Sequence, residues 1–328
     1  MKCINKWICL SLLIAVSCVS GCGKTSAAIE QPYDVYATVA DFGLSSNGTA
    51  EAKSYFASDL CVSEDVAIGT DSTDSQVAEG AGTFNLETNT VVYAKNLYER
   101  LYPASTTKIL TAYIALKYCD DLDAMVTVSE NAVNQASDSS VCNLKAGDVI
   151  RLRDLLYGLM LRSGNDAAVA IAEYISGDVD SFAALMNQEA AAMGATRSHF
   201  VNPNGLPDEN HYTCVYDMYL IFSNAVKNDT FVSIIGTTSY DVTYTDASGE
   251  AVTHTWENTN QYLTGNATTP DGFQIVGGKT GTTGEAGYCL VLYSYNPSGQ
   301  PIISIVFKAD GKSNLYLLMN EMLQGFAI

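Results

Sequence analysis

The chain has 328 residues, a hydrophobic fraction of 47 %, a sequence pI near 4.3 and a formal net charge of −19. That is material for one large domain or two small ones with a sizeable core. Acidity of this size argues against nucleic acid as a partner, because phosphates are repelled, and against plain electrostatic binding to an anionic membrane surface.

The chain opens on a segment that does not read as part of a fold. Lys2 and Lys6 form a positive start, and Trp7 to Val19 is apolar but too short to span a bilayer comfortably. It ends in Val19-Ser20-Gly21-Cys22. We read residues 1–21 as a signal peptide. The tetrad is similar to a bacterial lipobox, which would leave Cys22 as a lipid-bearing N-terminus; ordinary cleavage without lipid is the competing reading. Removing residues 1–21 deletes two lysines and no acid, so −19 becomes −21. Residues 22–52 are small and polar and suit a tether, which leaves 53–328 as one folded domain.

Within that domain, Thr83 to Asn96 reads as two short strands around a Glu87-Thr88-Asn89 turn. Thr106 to Cys119 reads as a helix with an apolar face of Ile109, Leu110, Tyr113, Ile114 and Leu116. Arg153–Leu161 and Asn165–Ile175 are further helices, divided by Arg162-Ser163-Gly164, and Ser181–Met193 is another. Asn202-Pro203-Asn204-Gly205 is a turn. Beyond residue 236 strands dominate. Tyr240, Val242 and Tyr244 alternate with polar residues, and Ile275-Val276, Tyr288–Tyr295 and Ile302–Phe307 are β-branched or aromatic. Asn314–Leu323 closes the chain as a helix. Strands at both ends with helices between them predict one sheet built from both ends of the chain and a helical insert.

Five cysteines remain once Cys3, Cys9, Cys18 and Cys22 are set aside: Cys61, Cys119, Cys142, Cys214 and Cys289. An odd number cannot all pair, and Cys119 with Cys142 is the bridge to consider. No Cys-x-x-Cys occurs and the three histidines are scattered, so we expect neither a metal site nor a cofactor.

Three short motifs carry chemistry. In Pro103-Ala104-Ser105-Thr106-Thr107-Lys108, Ser105 and Lys108 lie three apart at the start of a helix and so share a face. A serine hydroxyl needs a base within reach, and a lysine amine serves if burial or a second cation lowers its pKa. The plain alternative is a capping serine with a solvated lysine, yet this lysine opens a strongly apolar helix. Ser163-Gly164-Asn165 is a common triplet type. It also occurs at Ser45, Ser129 and Ser294, but only Ser163 breaks two apolar helices. Gly277-Gly278-Lys279-Thr280-Gly281-Thr282 follows an apolar strand start, where we expect the glycine pair to let a ligand backbone approach. The plain alternative there is a bulge with an exposed lysine.

Taken together, Ser-x-x-Lys, Ser-x-Asn and Lys-Thr-Gly in this order resemble the low-molecular-mass penicillin-binding proteins that act as serine D-Ala-D-Ala carboxypeptidases. The resemblance runs from about Val92 to the C-terminus. It includes Asp154-Leu155-Leu156-Tyr157-Gly158, Ser163 to Ala168, Phe200 to Leu206, Asn258-Thr259-Asn260 and Gly278 to Cys289. It implies an α/β fold of the α+β kind: a five-stranded antiparallel sheet flanked by helices, plus an all-helical subdomain.

For the site, the resemblance implies that Ser105 attacks the carbonyl before a terminal D-alanine and that Lys108 takes its proton. Backbone N–H groups of Ser105 and Thr282 would form the oxyanion hole. Ser163, linked to Lys279, would pass a proton to the leaving amine. Asn165 would hold the substrate amide, while Lys279, Thr280, Gly281 and Thr282 would line the place of the terminal carboxylate. The partners it implies are peptidoglycan stem peptides and β-lactams as covalent inhibitors; the lipobox-like tetrad adds a membrane reached through the Cys22 lipid, on the outer face of the bacterial cytoplasmic membrane.

Some features depart from the family pattern. Many relatives carry a further β-rich domain and a C-terminal anchor, which we do not expect here. No arginine follows Arg197, so a distal arginine on the carboxylate is not on offer, and Lys308 and Lys312 are the candidates to substitute for it. The stretch His211-Tyr212-Thr213-Cys214-Val215-Tyr216-Asp217 differs in detail from the usual small-residue version. A D,D-endopeptidase using the same residues and a non-catalytic penicillin or peptidoglycan sensor are the rival readings. A β-lactamase is disfavoured because the deacylating Glu-x-x-Leu-Asn pattern is missing between Ser163 and Lys279.

Overall fold

The computed structural model describes residues 57–328. The leader, the tether, Cys22 and the expected domain start at residue 53 lie outside the described residues. A main sheet of five antiparallel strands has the order β2-β1-β9-β8-β7. Strands β1 (Ala78–Asn85) and β2 (Thr90–Lys95) form the N-terminal hairpin; β7 (Gln274–Thr283), β8 (Gly287–Tyr295) and β9 (Pro301–Ala309) come from the other end of the chain. The first and last strands of the described residues therefore pair, β1 with β9, from Ala78 opposite Ala309 to Asn85 opposite Ile302. The hairpin turn is set locally. Asn85 Oδ1 accepts from the N–H groups of Glu87 and Thr88, and Asn89 takes a left-handed φ of 53°.

The sheet is apolar on both faces because it is covered on both. Leu290, Leu292, Ile302 and Val306 face one side, against Leu315, Leu318, Met319 and Met322 of the C-terminal helix. The alternate residues Val291, Ile303, Ile305 and Phe307 face the helical layer. That layer contains α1 (Lys108–Tyr118), the short α2 (Glu130–Val133), α3 (Leu152–Met160), α4 (Asn165–Ser176), α5 (Val179–Ala192), α6 (Val215–Ala225) and α7 (Asp229–Ile235); the C-terminal helix is α8 (Lys312–Phe326). Their ends follow ordinary capping chemistry. Asp178 accepts from Ser181 N at the start of α5, and Asn228 does so from Thr230 N and Phe231 N at α7.

The insert is not helical throughout, contrary to the all-helical expectation. It carries a second antiparallel sheet of β3 (Met125–Thr127), β4 (Val149–Arg151), β5 (Ser239–Thr245) and β6 (Ala251–Glu257). The hairpin β5–β6 buries Val242, Tyr244 and Trp256 on one face and leaves the alternating threonines in water. No disulfide forms among the described residues: all five cysteines are free. Cys142, weighed above as a partner for Cys119, is buried, and its sulfur fills the space left by Gly158 and Gly164.

Candidate active site

Ser105 sits on a 3-10 turn, Ala104–Thr107, that runs directly into α1. The turn is strained at its entrance, since Ala104 holds a left-handed φ of 47°. Two glycines press on it from opposite sides. A Cβ on Gly205 would lie 1.8 Å from the Ala104 carbonyl oxygen, and one on Gly281 would lie 3.0 Å from Ser105 N. Only a bare backbone fits in the first position. Strand β7, at the edge of the sheet, thus passes directly beside Ser105.

Lys108 is fully buried, and its Nζ has three oxygen neighbours. Ser105 Oγ is at 3.0 Å, Asn165 Oδ1 at 2.8 Å and the Asn204 carbonyl at 2.6 Å. A neutral amine has two N–H donors and one lone pair. Asn165 and Asn204 can only accept, so they take both N–H groups, and the lone pair is left for the Ser105 hydroxyl. Burial, and second the nearby charge of Lys279, push the Lys108 pKa well below its ordinary value. Lys279 is itself buried at 1 % exposure, and that burial lowers its pKa to about 7. Its Nζ donates to the Thr280 carbonyl at 2.9 Å.

Ser163 is presented by a left-handed φ of 59° just before α4. It is 5 % exposed, and its hydroxyl has no partner among the described residues. The expected link from Ser163 to Lys279 is therefore not made in this structure, because Lys279 turns to Thr280. Ser105, Ser163, Thr280, Gly281 and Thr282 line one cavity of about 150 Å³. Ser105, Asn165 and Thr282 line an adjoining one of about 380 Å³ together with Asn204 and Glu285. Ser105 and Thr282 are common to both.

Of the two lysines weighed as cationic stand-ins, one belongs here. Lys308 is paired with Glu79 at 2.6 Å, in a separate groove of about 640 Å³ that holds none of Ser105, Ser163 or Lys279. Lys312 lines the Ser105 cavity. It occupies the first turn of α8, where a positive charge opposes the helix dipole, so helix stability does not explain its place. The glycine pair before Lys279 has a different purpose from the one expected. Cβ atoms there would strike Ile235 O at 2.3 Å and Val291 O at 2.1 Å, so Gly277 and Gly278 admit the end of α7 and strand β8, not a ligand.

The sequence motifs miss several residues that build the site. Asn204 supplies the 2.6 Å carbonyl to Lys108 from inside a turn closed by Asn202 Oδ1, which accepts from Gly205 N. Asp166 is buried and accepts from the N–H groups of Cys142, Leu144 and Ala167, fixing the loop that faces Ser105. The Ser140 carbonyl of that loop accepts from Asn165 N. Among the described residues, no group of acidic, cysteine and histidine side chains could hold a metal ion.

Comparisons with known proteins show the family. The sequence family described as D-alanyl-D-alanine carboxypeptidase matches residues 69–311. The D-alanyl-D-alanine carboxypeptidase DacF of Bacillus subtilis is 34 % identical over 75 % of this chain and 61 % of its own length. A Streptomyces D-alanyl-D-alanine carboxypeptidase is 34 % identical over 76 % of this chain and 88 % of its own. The chain thus spans less than two thirds of the first relative and most of the second. Among solved structures, a Streptomyces DD-transpeptidase superposes with a TM-score of 0.71 at 33 % identity, covering 77 % of this chain and 98 % of that one. The carboxypeptidase DacD of Francisella tularensis gives 0.67 at 28 % identity, covering 81 % and 72 %. With three quarters of its length matched, the chain belongs to the D-alanyl-D-alanine carboxypeptidase family.

Proposed function

We propose that the protein is a serine D,D-carboxypeptidase that removes the terminal D-alanine from peptidoglycan stem peptides and is acylated by penicillins. The observation that carries the reading is the buried Lys108 Nζ, 3.0 Å from Ser105 Oγ and within hydrogen-bond distance of Asn165 Oδ1 and the Asn204 carbonyl. In this reading Ser105 Oγ attacks the carbonyl carbon of the penultimate D-alanine, and its proton passes to Lys108 Nζ. Backbone N–H groups of Ser105 and Thr282 hold the oxyanion, a contribution of about 3 kcal/mol in comparable sites. The C–N bond then breaks, D-alanine leaves with a proton delivered through Ser163, and an ester on Ser105 remains. Water attacks that ester and frees the shortened peptide.

The terminal carboxylate is held by Thr280 and Lys312, which line the Ser105 cavity, with the charge of Lys279 buried behind Thr280; the two lysines make this corner cationic within an acidic protein. Asn165 Nδ2, which makes no hydrogen bond among the described residues, is free to donate to the acyl side of the substrate. The decisive assay is D-alanine release from a diacylated peptide ending in D-Ala-D-Ala, by wild type and by Ser105→Ala. Release by the first alone supports the reading. Penicillin acylation without release would favour the endopeptidase or sensor, and a crosslinked dimer as substrate separates those two. Transfer of the acyl group to an added amine would point to an activity like that in the name of the Streptomyces DD-transpeptidase.

The N-terminal reading is part of the proposal. Among the described residues no helix is long and apolar enough to cross a membrane. A diacylglyceryl group on Cys22 would tether the domain to the outer face of the cytoplasmic membrane. Metabolic labelling with a fatty acid tests it: label is expected on wild type and absent from Cys22→Ala, whereas an unlabelled wild type would leave simple secretion.

A further inference from the structure

One buried titratable group next to the site has no role in the chemistry above. His211 is fully buried, and both ring nitrogens are engaged. Its Nδ1 accepts from Val201 N at 3.2 Å. Nε2 must then carry the ring proton, and it donates to Thr107 Oγ1 at 2.8 Å. The two partners belong to the two walls that meet at Lys108. Thr107 is the last residue of the nucleophile turn and the neighbour of Lys108. Val201 leads into the turn whose Asn204 carbonyl accepts from Lys108 Nζ and whose Pro203 carbonyl accepts from Thr111 Oγ1. No other side chain among the described residues hydrogen-bonds Thr107 Oγ1.

We propose that His211 is a positioning residue for the base: a neutral imidazole that clasps the Thr107 turn to the Val201–Gly205 segment and so holds Lys108 Nζ on Ser105 Oγ. The inference rests on the reading of Lys108 as the proton acceptor. Three features fit it. The ring is kept neutral by burial, which lowers its pKa to about 4, so its donor and acceptor stay distinct at every pH where the enzyme would work. Phe200 packs against the ring nearly edge-on at 5.5 Å and fixes its plane. Gly205, at the far end of the same segment, touches the turn so closely that a Cβ would lie 2.9 Å from Thr107 Oγ1 and collide with Ala104 O. The segment and the turn therefore have one relative position, and His211 is the polar link that sets it.

The test uses the full-length chain with benzylpenicillin and with a D-Ala-D-Ala peptide. Acylation is followed by intact mass and normalised to the fraction of molecules that finally acylate, so misfolded protein does not count. His211→Leu keeps bulk and removes both hydrogen bonds. His211→Gln presents one acceptor and one donor about as far apart as the ring nitrogens. Thr107→Val cuts the same link from its other end without opening a hole. A displacement of the base by about 1 Å costs on the order of 100-fold in rate. The expected result is a 10- to 100-fold slower covalent step in His211→Leu and Thr107→Val, seen in kcat with KM little changed, and recovery of most of the rate in His211→Gln. Wild-type rates per acylatable molecule in His211→Leu or Thr107→Val would overturn the inference and leave the function intact, as would equal defects in His211→Leu and His211→Gln. A wild type that never acylates would instead remove the functional reading, and this inference with it.

Discussion

At the scale of single residues, the site turns on a lysine whose charged form is disfavoured inside the protein. Desolvation does most of it and Lys279 adds repulsion, so proton uptake by Lys108 on acidification should end activity. Lys108→Met is expected to lower the acylation rate by about 10³-fold, within the usual span for a general base, and because it strips a donor from Asn165 Oδ1 and the Asn204 carbonyl its rate is read per folded molecule. Lys279 gives the opposite limb. With a pKa near 7 in the free enzyme it loses its charge as pH rises, so KM for a carboxylate-bearing peptide should climb above about pH 7. A KM that stays flat from pH 6 to 9 would mean that Lys279 does not read the carboxylate. Ser105, Lys108, Ser163, Asn165 and Lys279 are legible in the sequence because each belongs to a short motif with fixed spacing. Asn204 is not, because it acts through its backbone carbonyl, which every residue type has. His211 and Asp166 are not, because their partners lie in distant segments of the chain.

At the scale of elements, the nucleophile turn is the part under most constraint. It carries a left-handed Ala104 and is gripped between Gly205 and Gly281. Gly205→Ala forces backbone apart and introduces a Cβ at a residue with φ of 88°, so it should cost 2 kcal/mol or more, on the order of other strained-backbone substitutions. Thermal denaturation checks the stability, and benzylpenicillin acylation checks that the turn has lost its geometry. The helix from Thr106, the broken pair around Ser163 and the terminal helix were readable from apolar periodicity, and so were the strands after residue 236. The glycine pair before Lys279 was misread for a physical reason: sequence shows that something approaches closely, but not whether it is a ligand or the protein's own α7. Strand β6 escaped because Val252 and Trp256 are its only large apolar residues. Helix α6 went unassigned because it is buried almost all round, which erases the periodic signal, and α7 because seven residues are too few to show a period.

For the whole molecule, the sheet joins the first and last strands of the described residues, and the insert between them brings Ser163 and Asn165 to Ser105. The site therefore exists only in the complete domain, and its buried groups tie the stability of that domain to pH. The His211 pKa falls from 6.5 to about 4 on folding, so between those values the unfolded chain binds the extra proton. Its contribution is complete above pH 6.5 and is lost as pH falls through 4, on the order of 3 kcal/mol over the window. Denaturant titrations at pH 7 and pH 4.5 should show a smaller loss for His211→Gln than for wild type; equal losses would place that titration elsewhere.

The central claim is that Ser105 is made nucleophilic by Lys108, and peptide mapping after incubation with benzylpenicillin tests it most directly. The account predicts a penicilloyl group on the peptide that contains Ser105, formed by wild type and not by Ser105→Ala, with a rate that collapses in Lys108→Met. An adduct on any other residue, or none on a folded wild type, would contradict it.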